Sequence, residues 1–254
     1  MRARFRKASP QAPAGYFAWE AAGLRWLREA SPDVVEVLEV GDDHLTLAHV
    51  GSAPPDAAAA AGLGRALAAI HAAGAEAFGR GPPGWQGDGW LGPLREPLPL
   101  VLGRWPTWGV FYAEARLLPL ARLGRDRGVL DAADVAAVEA VARRLDAGGF
   151  DTGEQPARLH GDLWSGNVLW GPDGAVLIDP AAHGGHREAD LAMLQLFGCP
   201  HLDDVVAVYH EAQPLPEGWR NRVLLHQLHP LLLHAVLFGG GYVRQARAAA
   251  EHYR

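Results

Sequence analysis

Cysteine is almost missing from this 254-residue chain: Cys199 stands alone, so no internal disulfide can form and a disulfide-stapled fold is excluded. Lysine, usually among the commonest residues, occurs once, as Lys7. No apolar run reaches the roughly 18 uncharged residues that a membrane-spanning helix requires. The first residues, Met1 to Pro10, carry positive charge without the apolar centre of a secretory signal. Excess positive charge is lacking too. The formal net charge is -6, and Arg2, Arg4, Arg6 and Lys7 make the only dense basic run, which argues against a nucleic-acid partner. The expectation is a soluble cytoplasmic protein that engages neither nucleic acid nor membrane; composition leaves its oligomeric state open.

What is present is enough apolar material, 49% of residues, to bury the core of one large domain or two small lobes. Residues 1–50 read as a small mixed unit. A short strand is expected over Ala3–Ala8, where alternating arginines suit an edge position. Phe17, Ala21, Leu24 and Leu27 recur at helical spacing, and Ser31-Pro32 ends that helix. Val34–Val40 and His44–Val50 flank Gly41-Asp42-Asp43 as a hairpin. Gly51-Ser52-Ala53-Pro54-Pro55 is the linker candidate, and residues 51–254 read as a larger, mainly helical unit. Helices are expected over 56–73, 105–125, 131–147 and 188–197, with two more after Asp203. The Gly-, Pro- and Trp-rich stretch 79–100 reads as an ordered loop. The strands Asn167–Trp170 and Ala175–Asp179 enclose the turn Gly171-Pro172-Asp173-Gly174. The class is therefore α+β.

The chemistry concentrates in Leu159-His160-Gly161-Asp162-Leu163-Trp164-Ser165-Gly166-Asn167 and Ile178-Asp179-Pro180. Phosphoryl transfer from ATP needs a carboxylate to take the hydroxyl proton and oxygen ligands to hold magnesium on the phosphates. In kinase-like enzymes a catalytic Asp is followed, after four residues, by a metal-binding Asn, and a second metal-binding Asp closes the next short strand. Asp162, Asn167 and Asp179 stand in that order and spacing. Taken singly, each has a plain alternative as a turn or capping residue; three such coincidences at kinase spacing are not expected. Gly161 occupies the place of the protein-kinase Arg that pairs with a phosphorylated loop, and Pro180-Ala181 replaces Phe-Gly. This favours small-molecule kinases over protein kinases.

The run His-Gly-Asp-Leu-Trp-Ser-Gly-Asn at 160–167, with Asp179-Pro180-Ala181 and Gly185-His186-Arg187-Glu188-Ala189-Asp190-Leu191-Ala192-Met193, resembles the signature of the fructosamine kinase (ketosamine 3-kinase) family. Trp164 is the discriminating residue. The likeness also takes in Trp85, Gly92-Pro93-Leu94, the segment around Trp108, Phe111, Tyr112 and Arg116-Leu117, and Phe17 to Leu27 around Glu20. It implies a protein-kinase-like two-lobe fold and ATP- and Mg2+-dependent phosphorylation of the 3-hydroxyl of a sugar on an amine, either small-molecule or protein-bound, as a step in deglycation. Carried over residue by residue, it implies Asp162 as base, Asn167 and Asp179 as magnesium ligands, and Lys7 on the ATP phosphates with Glu20 as its ion-pair partner. His49 and Val50 fall at the hinge that reads adenine, where the family more often has Glu.

One departure concerns the amino end. Family members carry a strand, a Gly-rich phosphate-covering loop and another strand before the Lys, and only six residues precede Lys7. Either the start codon is placed too late or the protein lacks that lid, in which case weak ATP binding and slow turnover are expected. Trp164, His183, His186 and Arg187 are candidate substrate contacts; for the last three, a buried network anchored on Asp190 is the equal alternative. Trp85, Trp90, Trp105 and Trp108 are packing residues or linings of the acceptor cleft. His226, His229 and His234 are spaced poorly for one helix face and have no nearby carboxylate in sequence, so structural histidines are favoured over a metal site. Two other readings remain: a kinase of an aminoglycoside, choline or homoserine, and a catalytically silent binding module.

Overall fold

The computed structural model describes residues 3–254; Met1 and Arg2, the latter part of the basic run, lie outside the described residues. Strands β1 (Arg4–Ala8), β2 (Val37–Val40) and β3 (His44–Ala48) form an antiparallel sheet in the order β1-β3-β2. Lys7 pairs with Leu45 in its register. Helix α1 (Tyr16–Arg28) packs beside this sheet, starting after Gly15, whose φ of 81° suits glycine.

Helix α2 (Ala57–Ala72) begins where Asp56 accepts a hydrogen bond from the Ala59 N–H at 2.8 Å, a capping interaction worth about 1 kcal/mol. The stretch read as an ordered loop contains a strand pair, β4 (Gly89–Leu91) with β5 (Leu98–Leu100). The expected single helix over 105–125 is instead α3 (Trp108–Phe111), a π-helical stretch (Tyr112–Leu117) and α4 (Leu118–Asp126). Helix α5 (Ala132–Asp146) opens with a reciprocal Asp131–Asp134 capping box.

Beyond it, β6 (Ala157–Leu159) pairs with β9 (His183–Gly185), and β7 (Val168–Gly171) with β8 (Gly174–Leu177). Helix α6 (Glu188–Phe197) falls where its periodicity predicts. Three helices follow rather than two: α7 (Leu202–Ala212), α8 (Trp219–Phe238) and α9 (Gly241–Tyr253).

Two apolar clusters hold these elements. One gathers Trp108, Tyr112, Leu117, Val141, Leu228 and Ala249 from α3 through α9. The other joins Phe17, Leu24, Leu45 and Leu47 of the first fifty residues to Leu63, Leu67, Leu177, Leu191 and Tyr209. Val34 also bridges to Leu177. Each fully buried Leu contributes on the order of 1.5–3 kcal/mol, so residues on both sides of the linker share one core.

Candidate active site

The cleft on which the kinase-spaced residues converge has a volume of about 390 Å3 and is lined from five directions: Lys7 of β1, Tyr16, Trp19 and Glu20 of α1, the segment 90–94, the loops carrying Asp162, Asn167 and Asp179, and the end of α8. Tyr16, Trp19 and Glu20 share one face because residues three and four apart on a helix are neighbours.

Strands β6 and β9 fix the entrance of the loop bearing Asp162. The buried Asp190 carboxylate, on α6, accepts the backbone N–H groups of His160 at 2.7 Å and Gly161 at 3.0 Å. His71 at the end of α2 lies 3.1 Å away through Nε2 and engages the Tyr209 hydroxyl through Nδ1 at 2.8 Å. Burial disfavours the charge on Asp190, but these donors outweigh it and hold its pKa below the ordinary value. His160 donates through Nε2 to the Ile178 carbonyl at 2.9 Å, tying the Asp162 loop to the Asp179 loop. Gly161 has a φ of 80°, and a Cβ there would meet the Ala181 carbonyl oxygen at 2.2 Å. No arginine, nor any other side chain, fits at that place.

The three residues in kinase spacing converge. Asn167 donates through Nδ2 to the Asp162 backbone oxygen at 2.7 Å, to its carboxylate at 3.2 Å and to the Asp179 carbonyl at 3.4 Å. These bonds use Nδ2 and leave Oδ1 available as an oxygen donor. Asp179 adopts a left-handed backbone, φ 53°, a strained choice for a non-glycine residue that concentrates at functional sites. Lys7 Nζ lies 2.9 Å from Glu20 and 3.2 Å from Asp179. Burial disfavours its charge, but the two carboxylates more than offset that, so the ammonium is held above its ordinary pKa. Asp162 goes the other way: burial, reinforced by the charges of Asp179 and Asp190 and opposed by Asn167, pushes it up to about 7.

Other expected site residues lie elsewhere. His183 is buried, donates through Nδ1 to the Ala181 carbonyl at 2.8 Å and faces Phe111. His186 contacts Thr152 Oγ1 at 2.9 Å. Arg187 forks onto Glu154 and reaches the carbonyls of Gln213 and Pro214. None of the three lines the cleft; they brace the elements beneath it. His49 and Val50 also lie outside the lining, and the His49 N–H is taken by the Ala3 carbonyl at 3.0 Å. Trp164 does stand at the cleft, 42% exposed; Gly166 makes room for it, since a Cβ there would sit 2.2 Å from its ring.

Of the tryptophans, Trp90 lines the cleft, Trp85 packs on Trp19, Trp105 donates to Glu114 and Trp108 stacks on Tyr112. The three histidines of α8 separate. His226 sits with His186 and Glu188, donor atoms within 4.8 Å of one another, so a carboxylate does accompany it, from α6. Arg222 already holds Glu188, at 2.5 and 2.9 Å. The His229 backbone N–H bonds the Tyr112 hydroxyl, and His234 lines the cleft. Tyr16, Trp19 and Phe238 are cleft residues that sequence reasoning did not single out; for the first two, helical spacing from Glu20 was the available signal.

A lysine–glutamate pair facing an Asp/Asn/Asp constellation across a cleft defines a phosphotransferase of the kinase-like class. The chain belongs to the fructosamine kinase family, whose model matches residues 1–253. A Thermus thermophilus protein named as a ketoamine kinase is 36% identical over 93% of this chain and 82% of its own length. A crystal structure of a Thermobifida fusca protein carrying the name fructosamine-3-kinase superposes with a TM-score of 0.89 at 51% identity, covering 98% of this chain and 84% of that one. The aminoglycoside phosphotransferase APH(4)-Ia, at 18% identity and a TM-score of 0.62 over 99% of this chain and 86% of its own, shares the kinase fold.

Proposed function

We propose that this enzyme transfers the γ-phosphoryl group of ATP to the 3-hydroxyl of a ketosamine, a sugar joined through an amine, and that Asp162 is the base. The observation that carries the reading is the position of Asp162: its carboxylate is fixed by Asn167 and opens into the cleft. A base serves best when its pKa lies near the working pH, and the value of about 7 for Asp162 meets that condition. Lys7, held charged by Glu20, suits the phosphates of the nucleotide. The all-oxygen donor set of Asn167 Oδ1 and the Asp179 carboxylate fits Mg2+, which when bound neutralises charge on the transferring phosphates. Asn167 and Asp179 would hold it. Trp164, exposed at the rim, offers an aromatic face to the sugar.

The direct test is ATP consumption with magnesium and ribulosyl-lysine or fructosyl-lysine. Acceptor-dependent turnover is expected, lowered by about 10²–10⁴-fold in Asp162→Asn, the range for a lost general base. Its acid limb in kcat/KM should lie well above the ordinary carboxylate range. Turnover of choline or an aminoglycoside, with none on either glycated amine, would assign the enzyme to another branch of the small-molecule kinases.

A further inference from the structure

Among the described residues, four large apolar side chains are exposed: Phe5, Trp164, Leu169 and Phe238. Two of them, Trp164 and Phe238, stand on the cleft. A continuous ladder of rings connects them. Trp164 meets Phe197 edge-on at 6.3 Å, Phe197 meets His234 at 4.8 Å, and His234 meets both Phe238 at 5.4 Å and Tyr242 at 5.0 Å. The ladder begins two residues beyond Asp162 and ends at the corner between α8 and α9. That corner is set by Gly239 and Gly240, with φ of 65° and 61° and ψ of -145° and -129°, a backbone region that belongs to glycine. The wall is therefore held at a defined place.

Its charge character is equally defined. Lys7 is the only Lys or Arg among the described residues lining the cleft, and it stands on β1, while Glu20, Asp162 and Asp179 supply carboxylates. His234 adds no positive charge: its Nδ1–H donates to the Pro230 carbonyl at 2.8 Å, and burial keeps its pKa below the ordinary value. An aromatic wall without cations of its own attracts an alkylammonium through the ring faces and an apolar substituent through contact area. A cleft of about 390 Å3 is the size of a small-molecule site.

From these observations, and resting on the ketosamine reading, we infer that the cleft carries an apolar acceptor subsite beyond the sugar, faced by Trp164, His234 and Phe238 and backed by Phe197 and Tyr242, which takes the aromatic or branched apolar substituent of a free, small-molecule glycated amine. The unbranched stem of a protein lysine offers no such group. Specificity then resides in the part of the acceptor that does not react, and the binding it supplies is expressed mainly in KM.

The experiment compares two acceptors of equal sugar and different amine, the ribulosyl adducts of phenethylamine and of ethanolamine, with ATP and magnesium, on the wild-type chain, Phe238→Ala and Phe238→Leu. The wild type should prefer the phenethylamine adduct by about tenfold in kcat/KM, the scale of one well-packed apolar group. Phe238→Ala should shrink that preference to about twofold or less, and Phe238→Leu should restore part of it. The preference is a ratio, so it is insensitive to the fraction of folded enzyme. Equal kcat/KM for the two adducts in the wild type would overturn the subsite and leave ketosamine phosphorylation standing. Turnover of neither would overturn both. Equal kcat/KM together with a wild-type dimer that Phe238→Ala dissociates in sedimentation would assign the rim to a second copy of the chain instead.

Discussion

At the scale of single residues, the site keeps a carboxyl group where the fold does not favour its charge. Asp162 has a folded-state pKa of about 7, above the unfolded value near 3.9. A raised carboxyl pKa means that the stability this group contributes is greatest at low pH and declines as pH climbs from the ordinary carboxyl range to about 7, then stays constant. Asp162→Asn, which cannot ionise, should therefore raise Tm by roughly 10 °C at pH 8, about 4 kcal/mol for a shift of this size, and have little effect at pH 4, as read by thermal unfolding at the two pH values. A variant that is destabilised equally at both would show that the Asn167 hydrogen bond outweighs the charge.

Gly161 supplies the opposite case. Its φ of 80° and the Ala181 oxygen at 2.2 Å from a built Cβ predict that Gly161→Ala shifts the loop carrying Asp162 and lowers kcat by at least about 10²-fold, since displacement of a catalytic group by about 1 Å has that cost. Binding of ATP, measured by calorimetry, should fall much less. The sequence showed Gly161 as a missing arginine; the carbonyl that forbids any side chain there belongs to residue 181, on a different loop, and no local pattern encodes it.

Elements of the fold were legible where a strong period or a capping residue spans them. Helices α2, α5 and α6 lie within a residue or two of their expected limits because Asp56, Asp131 and the apolar spacing mark them. Three-residue strands have no such signature. Pro99 sits in the middle of β5 and hides its pairing with the nearby β4, and β9 is His-Gly-Gly, whose pairing is decided by β6, distant in sequence. Pro230 does not interrupt α8, and the helix count after Asp203 turns on Gly218 and the Gly239–Gly240 corner. The π-helical stretch brings Arg116 inward, onto the carbonyls of Val101 and Ala115; one inserted residue in a helix leaves little trace in composition.

The connections among elements explain why His183, His186 and Arg187 brace the site instead of lining it. Helix α6 delivers Asp190 to the backbone of His160 and Gly161, and β9 holds His183 beneath the Asp162 loop. Asp190→Ala would strand two buried N–H donors and His71. A loss of about 2–5 kcal/mol is expected from urea unfolding, with kcat falling more than KM rises.

For the whole molecule, apolar packing crosses the expected division at residue 51. Phe17, Leu45 and Leu47 pack in one cluster with Leu63, Leu177 and Tyr209. The sheet and the helical region should therefore unfold together. Thermal unfolding followed by tryptophan fluorescence and by far-UV circular dichroism should give one coincident transition; separated midpoints would show that the first fifty residues melt alone.

Lys7 also bears on the protein's own exposure to sugars. Reducing sugars attack the ε-amino groups of lysines, and they need the uncharged amine. This chain has one such group, held as an ammonium between Glu20 and Asp179. An enzyme that works on sugar-modified amines is thereby built almost without the side chain that sugars modify, and long exposure to ribose should leave its own surface nearly free of lysine adducts, as read by intact mass.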